Sequence, residues 1–244
     1  MKIFICEKCP ESFFTAVFDA YAEKQCTVTS DGEIQLALDS EIVRVGVNSE
    51  KCGRVINGII KYGPEAVDDV LLALRSCDAS KEQTAFEYIR TLMHKKTPVK
   101  KAFNLPEVVA FNDLLHKVTT EIHHLQGFLR FMESESGAFY APYSPDNDIT
   151  DLLMPHFAAR FKAEKFVIHD VKRNVAGMYN GNDWIICEAG NAEIYLSEYE
   201  RAFEALWKKY YKAVNIKDRP HEKQMRRSMP ARYWKYLPEK YDNE

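Results

Sequence analysis

The stretch "KFVIHDVKRNVAGMYNGNDWIICEAG", Lys165–Gly190, decides the fold class. It divides into "KFVIHD", "VAGMYNG" and "DWIICEAG", three short apolar runs that read as strands joined by turns. No helical segment separates them, so strands that follow one another pair as neighbours. Helical segments surround this block on both sides. Mixed order with consecutive late strands argues for an α+β protein, with helices packed on a mostly antiparallel sheet.

Working backwards, "DNDITDLLMPHFAARFKAE" is largely helical, with a start left open by Pro155. "GFLRFMES" and "GAFYAPYS" read as a hairpin. "LPEVVAFNDLLHKVTTEIHHL" is a long helix, with Val108, Phe111, Leu115, Val118, Ile122 and Leu125 on one stripe. Working forwards, "SEYERAFEALWKKYYKAV" is the clearest helix. Ser197 and Glu200 fit a capping box, and Tyr199, Phe203, Leu206 and Tyr210 form the expected inner stripe. At the N-terminus "KIFIC" reads as a strand and "PESFFTAVFDAYAEK" as a helix. "EIQLAL" and "EIVRVGV" follow as strands, then three helices with Ser49 and Ser80 as candidate caps. The expected organisation is a smaller mixed N-terminal α/β subdomain, residues 1–80, and a core domain, residues 81–244, ending in a basic arm. The polar "KKTPVKKAFN" is a candidate linker.

The chain has 244 residues, 46% hydrophobic and 28% charged, with a net charge of −3. These values fit an ordinary globular protein with a buried core. No apolar run is long enough to cross a bilayer, and "MKIFICEKCP" is too short in its apolar part for a signal peptide. A cytosolic setting is expected, with no membrane partner and with Cys6, Cys9, Cys26, Cys52, Cys77 and Cys187 as free thiols. "CEKC", after a strand and before a helix, is where a thioredoxin-like protein places its redox pair. Two strands and then three helices fit that fold poorly. No second C-x-x-C completes a zinc site.

The second half collects histidines, acids and cations. His123 and His124 end the long helix, Asp146, Asp148 and Asp151 cluster in "PDNDITD", His156 follows, and His169–Asp170 sit in "VIHDVKR". Convergence of His123, His169, Asp146 and Asp148 would give a metal or acid–base site for phosphodiester or base chemistry. Helix caps and satisfied core histidines are the plainer explanation. Arg130, Arg160 and Arg173 lie in the same segments, two of them followed by Phe. Such an alternation on a strand turns Phe inward and Arg outward. Guanidinium groups suit phosphate, or else pair with local acids.

The tail is basic on an acidic chain. Between Lys208 and Lys240 eleven cations, Arg226, Arg227 and Arg232 among them, face three acids. Phosphate backbones attract such blocks. Tyr233 and Trp234 either stack on bases or anchor "MPARYWKYLPE" to the domain.

"IHHLQGFLRF", "YSPDNDI", "MPHFAARF", "FVIHDVKR" and "MRRSMPARYWKYLPE" together resemble a bacterial family associated with DNA metabolism and DNA repair. The resemblance spans Lys81 to Glu239. Members are commonly encoded beside a radical-SAM protein, and a related domain is fused to uracil-DNA glycosylase-like proteins. The family has no established activity. Where it often carries a histidine between two aspartates, this chain has Asn147. The resemblance implies a DNA-binding accessory protein working with a radical-SAM iron–sulfur or glycosylase-type partner. Arg130, Arg160, Arg173, Arg226, Arg227 and Arg232 would then meet phosphate. An enzyme acting on DNA or nucleotides through the His/Asp group, and a docking module for the radical-SAM protein, are the alternatives. No cofactor is implied.

Overall fold

The structure is a computed structural model that describes residues 1–32, 40–190, 195–214, 226, 229–238 and 240. It is α+β, and it divides into two compact units, Met1–Thr119 and Thr120–Glu244.

The first unit is built on a three-stranded parallel sheet ordered β2-β1-β3. β1 (Lys2–Cys6) pairs with β2 (Cys26–Thr29) and with β3 (Glu41–Val45). Parallel neighbours need a crossover, which α1 (Pro10–Ala20) supplies between β1 and β2. Pro10 starts that helix, where its missing N–H costs nothing. The expected "EIQLAL" strand lies outside the described residues, and β2, "CTVT", was not anticipated. Its two threonines and short length hide it from an alternation test.

α2 (Ser49–Tyr62), α3 (Ala66–Ala73) and α4 (Lys81–Lys95) complete the unit with the first part of α5 (Pro106–Phe128). The cap of α2 is Asn48, whose side chain accepts from Lys51 N at 3.0 Å, in place of Ser49. Ser80 precedes α4 but makes no side-chain cap; its hydroxyl donates to Asp78 instead. Phe13, Phe14, Ile59, Phe86 and Leu92 fill the core. Tyr88 stacks on Phe111 at 3.8 Å. Val99, inside "KKTPVKKAFN", is buried in the same core, and Lys100 pairs with Asp69.

The second unit holds a five-stranded sheet ordered β4-β5-β6-β7-β8. Its strands are Met132–Glu133, Phe139–Tyr143, Phe166–Asp170, Val175–Tyr179 and Trp184–Glu188. Only β5–β6 is parallel; the other pairings are antiparallel. The crossover between β5 and β6 contains α6 (Thr150–Phe161). α6 runs through Pro155, whose ring sits on its exposed side. It packs so closely on the sheet that a Cβ at Gly177 would lie 2.3 Å from Met154 Sδ.

The expected "GFLRFMES" strand is corrected. α5 continues to Phe128, and only Met132 and Glu133 are extended. Arg130 therefore lies in a connection and Arg160 on a helix, so neither owes its direction to strand alternation. Their phenylalanine neighbours still turn inward. Phe131 meets Phe157, Phe161 and Phe166 at 4.7–5.7 Å, and Arg160 is exposed.

α7 (Glu198–Val214) follows β8. Half of the expected capping box forms: Glu200 N donates to Ser197 Oγ at 3.2 Å. The Glu200 carboxylate accepts from Glu133 N on β4 at 2.8 Å instead of turning back on its own cap. The expected inner stripe is also corrected. Tyr199, Phe203, Leu206 and Tyr210 are exposed.

Candidate functional site

Within the second unit a buried carboxylate gathers three segments. Glu121, on α5, accepts from Asp146 N at 2.9 Å, Asn147 N at 2.8 Å and Asn147 Nδ2 at 2.7 Å. It also accepts from the Tyr233 hydroxyl at 2.8 Å and lies 3.4 Å from Arg232 Nη2. Arg232 Nε reaches Asp146 Oδ2 at 3.2 Å. Ionised carboxylates offer about four acceptor sites, so this one is saturated by its protein donors. Burial first, and then the Glu121 charge, push the Tyr233 phenol above its ordinary pKa and keep it protonated. Burial first, and then the neighbouring His123 and Arg232, pull His124 below its ordinary 6.5.

A second buried acid holds the other side of the same loop. Asp170, fully buried at the end of β6, accepts from Lys172 N, Arg173 N and Arg173 Nη1, the last at 2.8 Å. Arg173 also donates to the carbonyls of Pro145 and Asp146. "SPDND" is thus clamped from two sides. Asn147, standing where the resembling family often has histidine, serves as a donor to Glu121.

The sheet face opposite α6 carries a cavity of about 470 Å³. Strand alternation sends Phe166, Ile168 and Asp170 to the core and leaves Val167 and His169 facing the cavity. Tyr140, Met178 and Cys187 complete that wall. The Tyr140 hydroxyl lies 2.7 Å from His169 Nδ1, and His169 Nε2 is shielded with no protein partner. Burial raises the Tyr140 pKa, so its hydroxyl is protonated. Phenols donate better than they accept, which favours the tautomer with hydrogen on Nε2.

Of the four proposed acid–base residues, His169 lines this cavity. His123 is exposed at the end of α5, and Asp146 belongs to the Glu121 cluster. Among the described residues no group of three His, Cys, Asp or Glu side chains is placed to hold a metal. Of the proposed phosphate contacts, Arg173 and Arg232 are tied to buried acids. Arg130 lies 5.5 Å over the Trp207 ring and donates to Gly127 O. Arg160 and Arg226 are exposed, and Arg227 lies outside the described residues. Tyr233 anchors the arm from inside its 3₁₀ turn, Ala231–Tyr236, and Trp234 donates to Met229 O at 3.0 Å.

Sequence reasoning passed over Glu121 and Tyr140. A signal existed for the first. Glu121 sits three residues after Val118 and four before Leu125, an acid on an apolar stripe. Tyr140 carried none. In the first unit, Cys6 donates to Thr29 O at 3.3 Å. Burial pushes its thiol up to about 12, the reverse of an activated redox cysteine, although β1, α1 and β2 do form a βαβ unit.

A family model described as a domain of unknown function, DUF4130, matches residues 79–239. The chain belongs to the DUF4130 family. The DUF4130 match takes in α4, all of the five-stranded sheet, the Glu121 cluster, the cavity and the arm through Glu239. No curated protein matches the chain significantly.

Proposed function

We propose that this DUF4130 protein binds DNA, damaged or single-stranded, in bacterial DNA repair or metabolism, and that it works with a radical-SAM or glycosylase-type partner. The observation that carries the reading is the build of the arm. Tyr233 and Leu237 are buried, which fixes the turn to the unit. Arg226 and Lys240 lie over the Trp234 ring at 5.6 and 5.2 Å, and Lys235 lies over Tyr236 at 4.7 Å. A cationic surface with aromatic faces suits phosphate and unstacked bases. Arg160, Arg226 and Lys235 take the phosphate role. Arg173 and Arg232 shape the surface through Asp170, Asp146 and Glu121.

Fluorescence anisotropy with labelled single- and double-stranded DNA tests this. Each phosphate contact in a single strand contributes a slope of about 0.7 in log affinity against log salt. Arg160→Ala/Arg226→Ala/Lys235→Ala should weaken binding and flatten that slope by about 2. Affinity that ignores salt, or that the triple variant leaves unchanged, defeats the reading.

A second reading is an enzyme acting on a nucleotide or a displaced base. One observation favours it: His169 and Tyr140 form a hydrogen-bonded pair at a cavity large enough for a small ligand. His169→Gln would then abolish turnover of labelled DNA or nucleotide and leave phosphate-dominated binding intact.

A further inference from the structure

The outer face of α7 is apolar and exposed. Tyr199, Phe203, Leu206 and Tyr210 are 75, 67, 62 and 57% exposed, in a helix whose start is fixed to β4. Ser197 N donates to Glu133 O and Glu133 N donates to Glu200, which sets the roll of the helix and turns this stripe away from the sheet. The four residues are separated by 4, 3 and 4 positions. That is the seam spacing of two helices packed side by side.

The patch is large. With Trp207, whose ring lies 5.7 Å from that of Tyr210, it presents on the order of 600 Å² of side chain, taking about 150–250 Å² for each aromatic residue. A standard interface takes roughly 800 Å² from each partner, so the stripe supplies most of one side. Scattered apolar side chains need no explanation, but a contiguous patch of this extent marks an interaction surface.

Charge selects the partner. From Glu198 to Glu204 the helix carries three glutamates and one arginine; from Ala205 to Val214 it carries three lysines and no acid. Lys208 already pairs with Glu204 at 2.9 Å across the junction of the halves. Side by side in parallel, two such helices would oppose like charges. Antiparallel, each acidic half meets a basic half, and the apolar seam stays in register. A surface complementary to its own copy about a two-fold axis is an isologous interface.

We propose that two copies of this chain associate through α7, with the helices antiparallel and Phe203 of each opposite Leu206 of the other. Tyr199 then faces Tyr210 across the seam. This inference is independent of DNA binding.

Light scattering on the full chain tests it. Over protomer concentrations from about 1 to about 200 µM, the mass should rise from 28.2 kDa toward twice that value. Phe203→Glu/Leu206→Glu should hold it at the monomer mass with an unchanged circular dichroism spectrum. A cross-linking pair covers the case in which that variant misfolds. In a Cys77→Ser background, a mixture of Tyr199→Cys and Tyr210→Cys chains should form disulfide-linked dimers under mild oxidation, and Tyr199→Cys alone should not. Monomer mass at every concentration overturns the proposal. So does a dimer indifferent to the glutamates, or self-linking of Tyr199→Cys, the mark of parallel helices.

Discussion

Removing the Tyr233 hydroxyl tests whether the arm is held by Glu121. Tyr233→Phe keeps the ring and its packing and deletes two bonds, one donated at 2.8 Å to the buried Glu121 carboxylate and one accepted from Arg232 Nη2 at 2.9 Å. Bonds to charged groups contribute about 1.5–3 kcal/mol. Glu121 keeps its three donors from Asp146 and Asn147, and the half-exposed Arg232 keeps Glu121 and Asp146, so the loss falls at the lower end for a single charged bond, about 1.5–2 kcal/mol. That raises the open population of the arm by about 10–30-fold. Hydrogen exchange of the peptide spanning 229–238 reads this directly, because a docked turn exchanges through local opening. Glu121→Gln should be worse. Its amide offers one oxygen and one NH₂, so either orientation sets an NH₂ against existing donors. Two donors left without acceptors cost about 2–6 kcal/mol together. Equal exchange in wild type and Tyr233→Phe, or a milder effect from Glu121→Gln, would refute the reasoning.

Three further outcomes follow from the same geometry. Arg173→Ala strands the buried Asp170 carboxylate and frees "SPDND"; loss of one partner from a buried pair costs about 3–5 kcal/mol, seen as a lower urea midpoint. At pH 8 a thiol reagent should label the exposed Cys77 rapidly and Cys6 only on unfolding, since burial holds Cys6 as a thiol; fast labelling of Cys6 would overturn that. His124 has a folded pKa below its ordinary 6.5, so the unfolded chain binds the extra proton first. Its contribution is constant above about pH 6.5 and is lost as pH falls below it. His124→Gln should flatten the stability profile between pH 6.5 and 5 and leave it unchanged at pH 8.

The three late strands were legible because each is a short apolar run bounded by turn residues. The boundary of α5 was not. "GFLRF" has strand composition, but Leu125 and Leu129 continue the helix's apolar spacing and are both buried. The α7 stripe shows the limit of periodicity in the other direction. A 3.6-residue pattern reports which side of a helix is apolar; contacts made across the fold, such as Glu200 with Glu133 67 residues earlier, report which side faces the sheet. The candidate site was legible as residue types and hidden as partnerships. For Arg173 the sequence offered phosphate or a local acid, and the acid is Asp170, three residues away; Asp146 and Glu121 reach Arg232 only through the fold.

The loop "SPDND" is tied to α5, to the β6–β7 turn and to the arm through side chains. Glu121 and Arg173 grip the same residue, Asp146, by its N–H and its carbonyl, from a helix and from the β6–β7 turn, while Arg232 carries the arm to its side chain. The order of the loop and the docking of the arm are therefore linked free energies, and the linkage runs both ways. A ligand that draws the arm's cations outward must loosen Asp146, and a loop held tight by Arg173 must resist that withdrawal. Were the arm to bind DNA as proposed, its affinity would be set in part at Asp170, a fully buried side chain.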